Sequence, residues 1–241
     1  MALTAQAFQT ELRTHQSDAE LRKIQRYFKA GEGDYGEGDV FIGVKMGTLF
    51  KVSEGYLAMP VPELERLLES EVHEDRAGAL SIMGKAATAK GCAAQRLQDL
   101  YDLYLRRHDR INNWDLVDLA AWRVVGRYLK DKPRDILYRL ARSDSLWERR
   151  TAILATLAFA LKGDHDDSYA IAEILLDDPH DLTHKAVGWA LRTCDKDRPR
   201  LEAFLETHGA TMARTTLRAA LEHFDPERRA YFMGLRKTAQ P

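Results

Sequence analysis

A tryptophan and a carboxylate four residues apart, Trp114 and Asp118, stand in the segment Asn112-Asn113-Trp114-Asp115-Leu116-Val117-Asp118. On a helix this spacing puts both side chains on one face, one turn apart. The face continues to Ala121 and Val125, so Asp118 borders an apolar wall, where a charge costs desolvation unless something offsets it. Such a carboxylate either serves a reaction or bonds the adjacent loop or a nearby arginine, and the pair alone favours the second. Two more helix starts follow. Ser145-Leu146-Trp147-Glu148-Arg149-Arg150 brings two guanidinium groups, and Leu182-Thr183-His184-Lys185-Ala186-Val187-Gly188-Trp189 brings an ammonium and an indole, with Arg192 close behind. The steps from Trp114 to Arg150 and from Arg150 to Trp189 are about 36 and about 39 residues, as in helical-pair repeats whose equivalent positions line one concave face. A carboxylate, aromatic faces and guanidinium groups together suit action on a polyanion.

The local chemistry sharpens some of these positions. Ser145-x-x-Glu148 reads as a capping box, which places Arg149 and Arg150 in the first two turns of a helix. Cations there lie at the unfavourable end of the helix dipole. A phosphate would use the arginines, the dipole and the free N–H groups at once; a salt bridge to Asp144 or Glu148 is the alternative. Trp122 and Trp147 fall among apolar positions and read as core, whereas Trp189 fits either a core or an exposed platform. The eight histidines show no metal-ligand spacing, and no Walker loop, dinucleotide fingerprint or Ser/His/Asp arrangement is present. Neither a metal nor a cofactor is expected. Cys92 and Cys194 lie far apart and read as reduced thiols.

The elements that must carry these residues are helical. Apolar periodicity predicts helices over 3–15, 18–30, 46–56, 62–72, 73–89, 95–108, 113–130, 133–142, 146–161, 167–176, 182–193, 198–207, 210–223 and 226–236. Prolines 62, 133 and 226 sit at predicted helix starts. The stretch Gly31–Asp39, with four glycines and four carboxylates, reads as a solvated loop. No segment alternates long enough for a strand. An α-solenoid over residues 1–241, as a single domain, fits a dozen or so helices with short links.

Composition agrees with a folded chain: 241 residues, 45% hydrophobic and 30% charged, with a net charge of -1. Residues 1–120 carry about -4 and residues 121–241 about +3, with cations crowded between Arg123 and Arg150 and acids between Asp164 and Asp181. This distribution is compatible with a local basic groove on a nearly neutral protein, which charge alone does not establish. No stretch approaches the roughly 18 apolar residues of a membrane span, and the first residues lack a secretory signal. A cytoplasmic location is expected.

Three motifs in one order and spacing carry a resemblance. They are Asn113-Trp114-Asp115-x-Val117-Asp118, Trp147-x-x-Arg150-x-Ala152-Ile153-Leu154 and Lys185-Ala186-x-Gly188-Trp189-x-Leu191-Arg192. Together they resemble the AlkD family of DNA alkylation repair glycosylases over about residues 20 to 225. Upstream, Tyr27 and Phe41-Ile42-Gly43-Val44 look like that family's tyrosine and its Phe-Leu-Gly-Ile entry to a helix. The resemblance implies a C-shaped stack of HEAT-like repeats holding duplex DNA on its concave face, a monomer that excises cationic alkylpurines such as 3-methyladenine and 7-methylguanine. It implies an excision in which the base stays stacked or nearly so, unlike the extrusion used by most glycosylases. By position, Asp118 matches the catalytic carboxylate, Trp114 and Trp189 the aromatic residues against the deoxyribose, and Arg150 the phosphate-contacting arginine. Arg149, Lys185 and Arg192 would assist on the backbone.

The implied chemistry fits the residue types. An alkylated purine is already a cationic leaving group, so the barrier lies in positive charge developing at the sugar. A fixed carboxylate and indole faces stabilise that cation. One departure is that Lys45-Met46 replaces the family's Gln-Thr, with Gly47 where proline is common. Lys45 can still reach DNA, and the change points to an altered lesion preference, including bulkier N3 or N7 adducts. The rival reading is a non-catalytic DNA-binding HEAT-repeat protein; a protein-binding solenoid is a third.

Overall fold

The computed structural model describes residues 2–28 and 38–238. The chain is all-α, 70% helical with no strands among the described residues; a single parallel bridge pairs Val40 with Val72. The chain divides into two compact units, Met1–Tyr128 and Leu129–Pro241.

In the first unit the helices are Ala5–Arg13, Asp18–Tyr27, Met46–Glu54, Val61–Leu68, His73–Thr88, Ala94–Arg106 and Trp114–Ala120, with a 3-10 turn at His108–Arg110. His73–Thr88 forms the centre. Its sequence from Ala77 to Gly84 offers no polar face, and a helix apolar all round must be buried; 14 of its residues are buried, while Lys85 and Thr88 keep some exposure. Phe8, Leu49, Val52, Leu64, Leu67, Leu116 and Val117 from the surrounding helices fill the core against it.

The predicted helix 113–130 is interrupted. The α-helix that begins at Trp114 ends at Ala120, and Ala121–Gly126 forms a π-helical turn, a wider loop of backbone that is frequent at functional sites. Close packing fixes this spot: a Cβ on Gly84 would lie 2.6 Å from the Leu119 carbonyl oxygen and 3.0 Å from Arg123 Cδ. Only glycine lets the central helix approach that backbone. The Arg123 guanidinium reaches back to the loosened carbonyls, with Nη1 3.0 Å from Leu119 O and 3.5 Å from Asp118 O.

The second unit holds Asp135–Leu140, Leu146–Ala155, Leu157–Ala160, Asp166–Ile174, Asp181–Thr193, Arg198–His208, Arg214–Ala220 and Pro226–Thr238. The predicted helix 146–161 breaks at Thr156, whose hydroxyl donates to the Ile153 carbonyl at 2.7 Å. Pro133 lies outside its helix, which starts at Asp135, whereas Pro62 and Pro199 take first-turn positions. Asp181–Thr193 packs on Arg214–Ala220. At their closest approach a Cβ on Gly188 would meet Ala219 Cβ at 2.6 Å, so the residue beside Trp189 must be glycine.

Candidate functional site

In the first unit the start of the Trp114–Ala120 helix is set from beneath. Asn113, fully buried, caps it: Oδ1 accepts the Trp114 backbone N–H at 2.8 Å. Within the helix Asp115, Leu116, Val117 and Ala120 are buried, while Trp114, Asp118 and Leu119 keep partial exposure. The indole and the Asp118 carboxylate are therefore the polar and aromatic groups that this helix leaves accessible, one turn apart.

Aromatic rings pack around Trp114. Phe28 stacks on it with centroids 5.4 Å apart and planes 17° from parallel, and Tyr27 meets it edge-on at 5.7 Å. Tyr27 is 66% exposed. The buried Phe28 also stacks on Phe41 at 5.3 Å, and both rings lie against the His73 imidazole. The structure thus brings Tyr27, expected from the sequence, to Trp114, and adds Phe28, which sequence reasoning missed.

Beneath the rings lies a buried ionic network. His73 donates Nε2–H to Asp115 at 2.8 Å and Nδ1–H to Asp39 at 3.2 Å. Asp39 also accepts from Arg76 Nη2 at 2.5 Å and from Asn113 Nδ2 at 3.1 Å. Burial pulls the His73 pKa down, but the charges and hydrogen bonds of Asp115 and Asp39 outweigh it and hold it up at about 9. Burial likewise raises the Asp39 pKa, and His73, Arg76 and Asn113 reverse this, bringing it to about 2. His73 is therefore a cation at neutral pH, bridging the loop before Val40 to the helix that bears Trp114 and Asp118. Asp39 corrects the solvated reading of 31–39, since its side chain is 4% exposed; residues 31–37 of that stretch lie outside the described residues.

A stability prediction follows from the signs. His73 is raised above its ordinary 6.5, so its contribution is complete below about pH 6.5 and is lost as pH rises through about 9. Asp39 is lowered from 3.8, so its contribution is present above about pH 4 and is lost as pH falls through about 2. Urea unfolding should lose on the order of 3 kcal/mol between pH 6.5 and 10 from His73, and His73→Gln should flatten this limb. Equal alkaline slopes in the two proteins would contradict the assignment.

Neighbouring Glu74, also buried, accepts backbone N–H groups from three successive residues: Ile42 and Val44 at 3.1 and 3.3 Å, and Gly43 at 2.9 Å. This fixes the Phe41–Val44 segment and with it Lys45, exposed at the start of the Met46–Glu54 helix. Met46 is half-exposed beside it.

In the second unit Ser145 caps its helix by accepting from the Glu148 N–H at 3.4 Å. The reciprocal half of the box is not made, because the Ser145 N–H donates to Ser143 Oγ at 3.0 Å. Arg149 pairs with Asp178 (Nε to Oδ2, 2.5 Å) and donates to the Ser143 and Asp144 carbonyls. Its acidic partner is thus neither Asp144 nor Glu148, but a carboxylate from the link before Asp181–Thr193. Arg150 is 5% exposed, with Nη1 2.5 Å from the Leu182 carbonyl oxygen at the start of that helix. Trp189 is half-exposed, Lys185 is exposed and pairs with Asp181 at 2.7 Å, and Arg192 pairs with Glu222. Trp122 and Trp147 are half-exposed and not core; the Arg123 guanidinium lies 4.3 Å from the Trp122 ring centre.

The chain is all-helical, with an indole and a carboxylate accessible at one helix start of the first unit and a further indole and exposed Lys185 on a helix of the second. The family model for DNA alkylation repair enzymes matches residues 8–224, and the chain belongs to that family. The solved structure of a predicted DNA alkylation repair enzyme from Enterococcus faecalis is similar with a TM-score of 0.68, over 88% of this chain and 98% of that one. At 16% identity the likeness is one of fold. No curated protein matches the chain in sequence. No helix among the described residues is long and apolar enough to cross a membrane.

Proposed function

We propose that this member of the family is a monofunctional DNA glycosylase that hydrolyses the N-glycosidic bond of cationic alkylpurines in duplex DNA, with the base remaining stacked or nearly so. The observation that carries the reading is the accessible pair on one helix face, Trp114 and Asp118, on a helix whose intervening residues are buried. A protein that only binds phosphates gains nothing from a carboxylate held there.

In this reading the alkylated base leaves as a neutral purine, so no strong general acid is needed. Asp118 stabilises the oxocarbenium character at C1′ and orients the water that attacks it. The Trp114 indole offers an electron-rich face to the same cation, and half-buried Trp189 is the candidate aromatic contact of the second unit. Tyr27 and Phe28 support Trp114, and Arg150, Lys45, Lys185 and Arg192 contact the backbone, which positions the duplex without reading its sequence. Arg149, engaged by Asp178, serves the same strand contact by holding the helix start that bears Arg150.

The test is release of 3-methyladenine and 7-methylguanine from methylated duplex DNA. Absence of release with duplex binding intact would favour the non-catalytic DNA-binding protein, unless bulkier N3 or N7 adducts are released. Arg150→Ala should weaken binding to any duplex about tenfold and lower the magnitude of the salt slope by about 0.9. An unchanged slope in a folded variant would remove Arg150 from the backbone contacts.

A further inference from the structure

Beside the π-helical turn the first unit contains a cavity of about 110 Å³ lined by Phe50, Ser81, Lys85, Leu119 and Arg123. None of these residues has a role in the site described above, yet three of them carry hydrogen-bond donors.

Ser81 is 3% exposed, and its Oγ has no hydrogen-bond partner. Hydroxyls in a helix ordinarily turn back to the carbonyl four residues earlier. Ser53 does so with Leu49 O and Thr88 with Gly84 O, each at 2.8 Å. Ser81 instead borders the cavity as a buried donor with no acceptor.

Arg123 carries a second unmet requirement. Burial lowers its pKa, and no carboxylate pairs with it among the described residues. Its Nη1 serves the Leu119 and Asp118 carbonyls, which leaves Nε and Nη2 to donate. A half-buried guanidinium without a counter-ion keeps its desolvation cost until an anion arrives.

The third donor is Lys85, whose Nζ lies 2.6 Å from Glu54 Oε1 and 2.8 Å from Phe50 O. Glu54 balances its charge, so the net charge facing the cavity is that of Arg123, while the ammonium retains one proton to donate. A guanidinium fork, a hydroxyl and an ammonium proton on residues that line one small space match a tetrahedral oxyanion, which offers several acceptor oxygens at once.

We propose that this cavity is a phosphate subsite, occupied by a backbone phosphodiester of the duplex; the choice of phosphodiester rests on the DNA reading above. Since Arg123 also bonds the Asp118 carbonyl, a phosphate held here ties backbone binding to the turn that follows the carboxylate.

The test uses the full chain and two variants. Arg123→Gln removes the charge while keeping a donor for the Leu119 carbonyl, and Ser81→Ala removes the unpartnered hydroxyl without touching the turn. Duplex affinity is measured across salt concentrations, and inorganic phosphate is titrated at constant ionic strength while the Arg123 Nε–H resonance is followed by NMR. The expected results are a saturable shift with phosphate that Ser81→Ala weakens severalfold, and a salt slope lowered in magnitude by about 0.9 in Arg123→Gln. A saturable shift with an unchanged slope would overturn the phosphodiester and leave a free phosphate compound as the ligand. No saturable shift in the folded wild type would overturn the subsite itself. A wild type that binds no duplex would sink the glycosylase reading, while the phosphate titration would still decide the cavity.

Discussion

Replacing Asp118 with Asn should reduce single-turnover release of 7-methylguanine from methylated duplex by a factor of about 10² to 10³, with the fold and duplex affinity retained. The figure is that of removing one fixed electrostatic partner from a developing charge. Asn keeps the size of the side chain and much of its hydrogen bonding, and Asp118 has interactions with its surroundings to preserve. What it loses is the negative charge proposed to face C1′, which in that mechanism matters more as the glycosidic bond stretches than in the bound ground state. The rate should therefore fall while affinity holds or rises slightly, because a like charge near phosphates is gone. Full activity in a folded Asp118→Asn protein would end the proposed mechanism.

The largest expected effect on stability lies beneath that site. Arg76 is nearly inaccessible; its Nη1 donates to the Ser70 and Glu71 carbonyls at 2.9 and 3.0 Å, and its Nη2 pairs with Asp39 at 2.5 Å. Arg76→Met fills the space of the stem but leaves a buried carboxylate short of a counter-ion and the Glu71 carbonyl without this donor, while the Ser70 carbonyl keeps Arg110 Nη2 at 3.1 Å. Breaking one side of such a pair costs about 3–5 kcal/mol. Chemical denaturation should show that loss. Because Asp39 also holds His73 and Asn113, the variant should in addition loosen the start of the Trp114 helix. Trp114 fluorescence in the folded variant would reveal this. A loss under about 1 kcal/mol would mean that solvent or neighbouring groups satisfy Asp39 without the guanidinium.

Much of the architecture was legible in the chain. Periodicity located the helices to within a few residues at most ends, because a helix with one apolar face announces its length and orientation. Its failures were specific. The helix 113–130 looked continuous because nothing in Ala121-Trp122-Arg123-Val124-Val125-Gly126 forbids an α-helix; the π turn depends on how closely Gly84 approaches from another helix. Trp122 and Trp147 were read as core from apolar neighbours in sequence, yet half-exposure follows from packing that sequence neighbours do not specify.

The ionic network was the main omission. Four ionisable residues in a row, His73-Glu74-Asp75-Arg76, are seldom buried, so their types give no local sign of a buried network. The signal lay just downstream: a helix whose continuation has no polar face must be interior, and its first turn goes inward with it. Asp39 was assigned to solvent by the same local reasoning, although its partners are 34, 37 and 74 residues away.

The sequence by itself determined the all-α class and the four-residue spacing that places Trp114 and Asp118 on one helix face, which follow from local periodicity, and it pointed to the family through three motifs whose order and spacing resemble it. Only the tertiary structure decided that His73 is a buried cation between two carboxylates, that Phe28 stacks on Trp114, that Arg149 is engaged by Asp178, and that Ser81 and Arg123 meet around one cavity. Each depends on groups brought together across many residues, and desolvation and pairing act on distance in space, which the order of residues does not record.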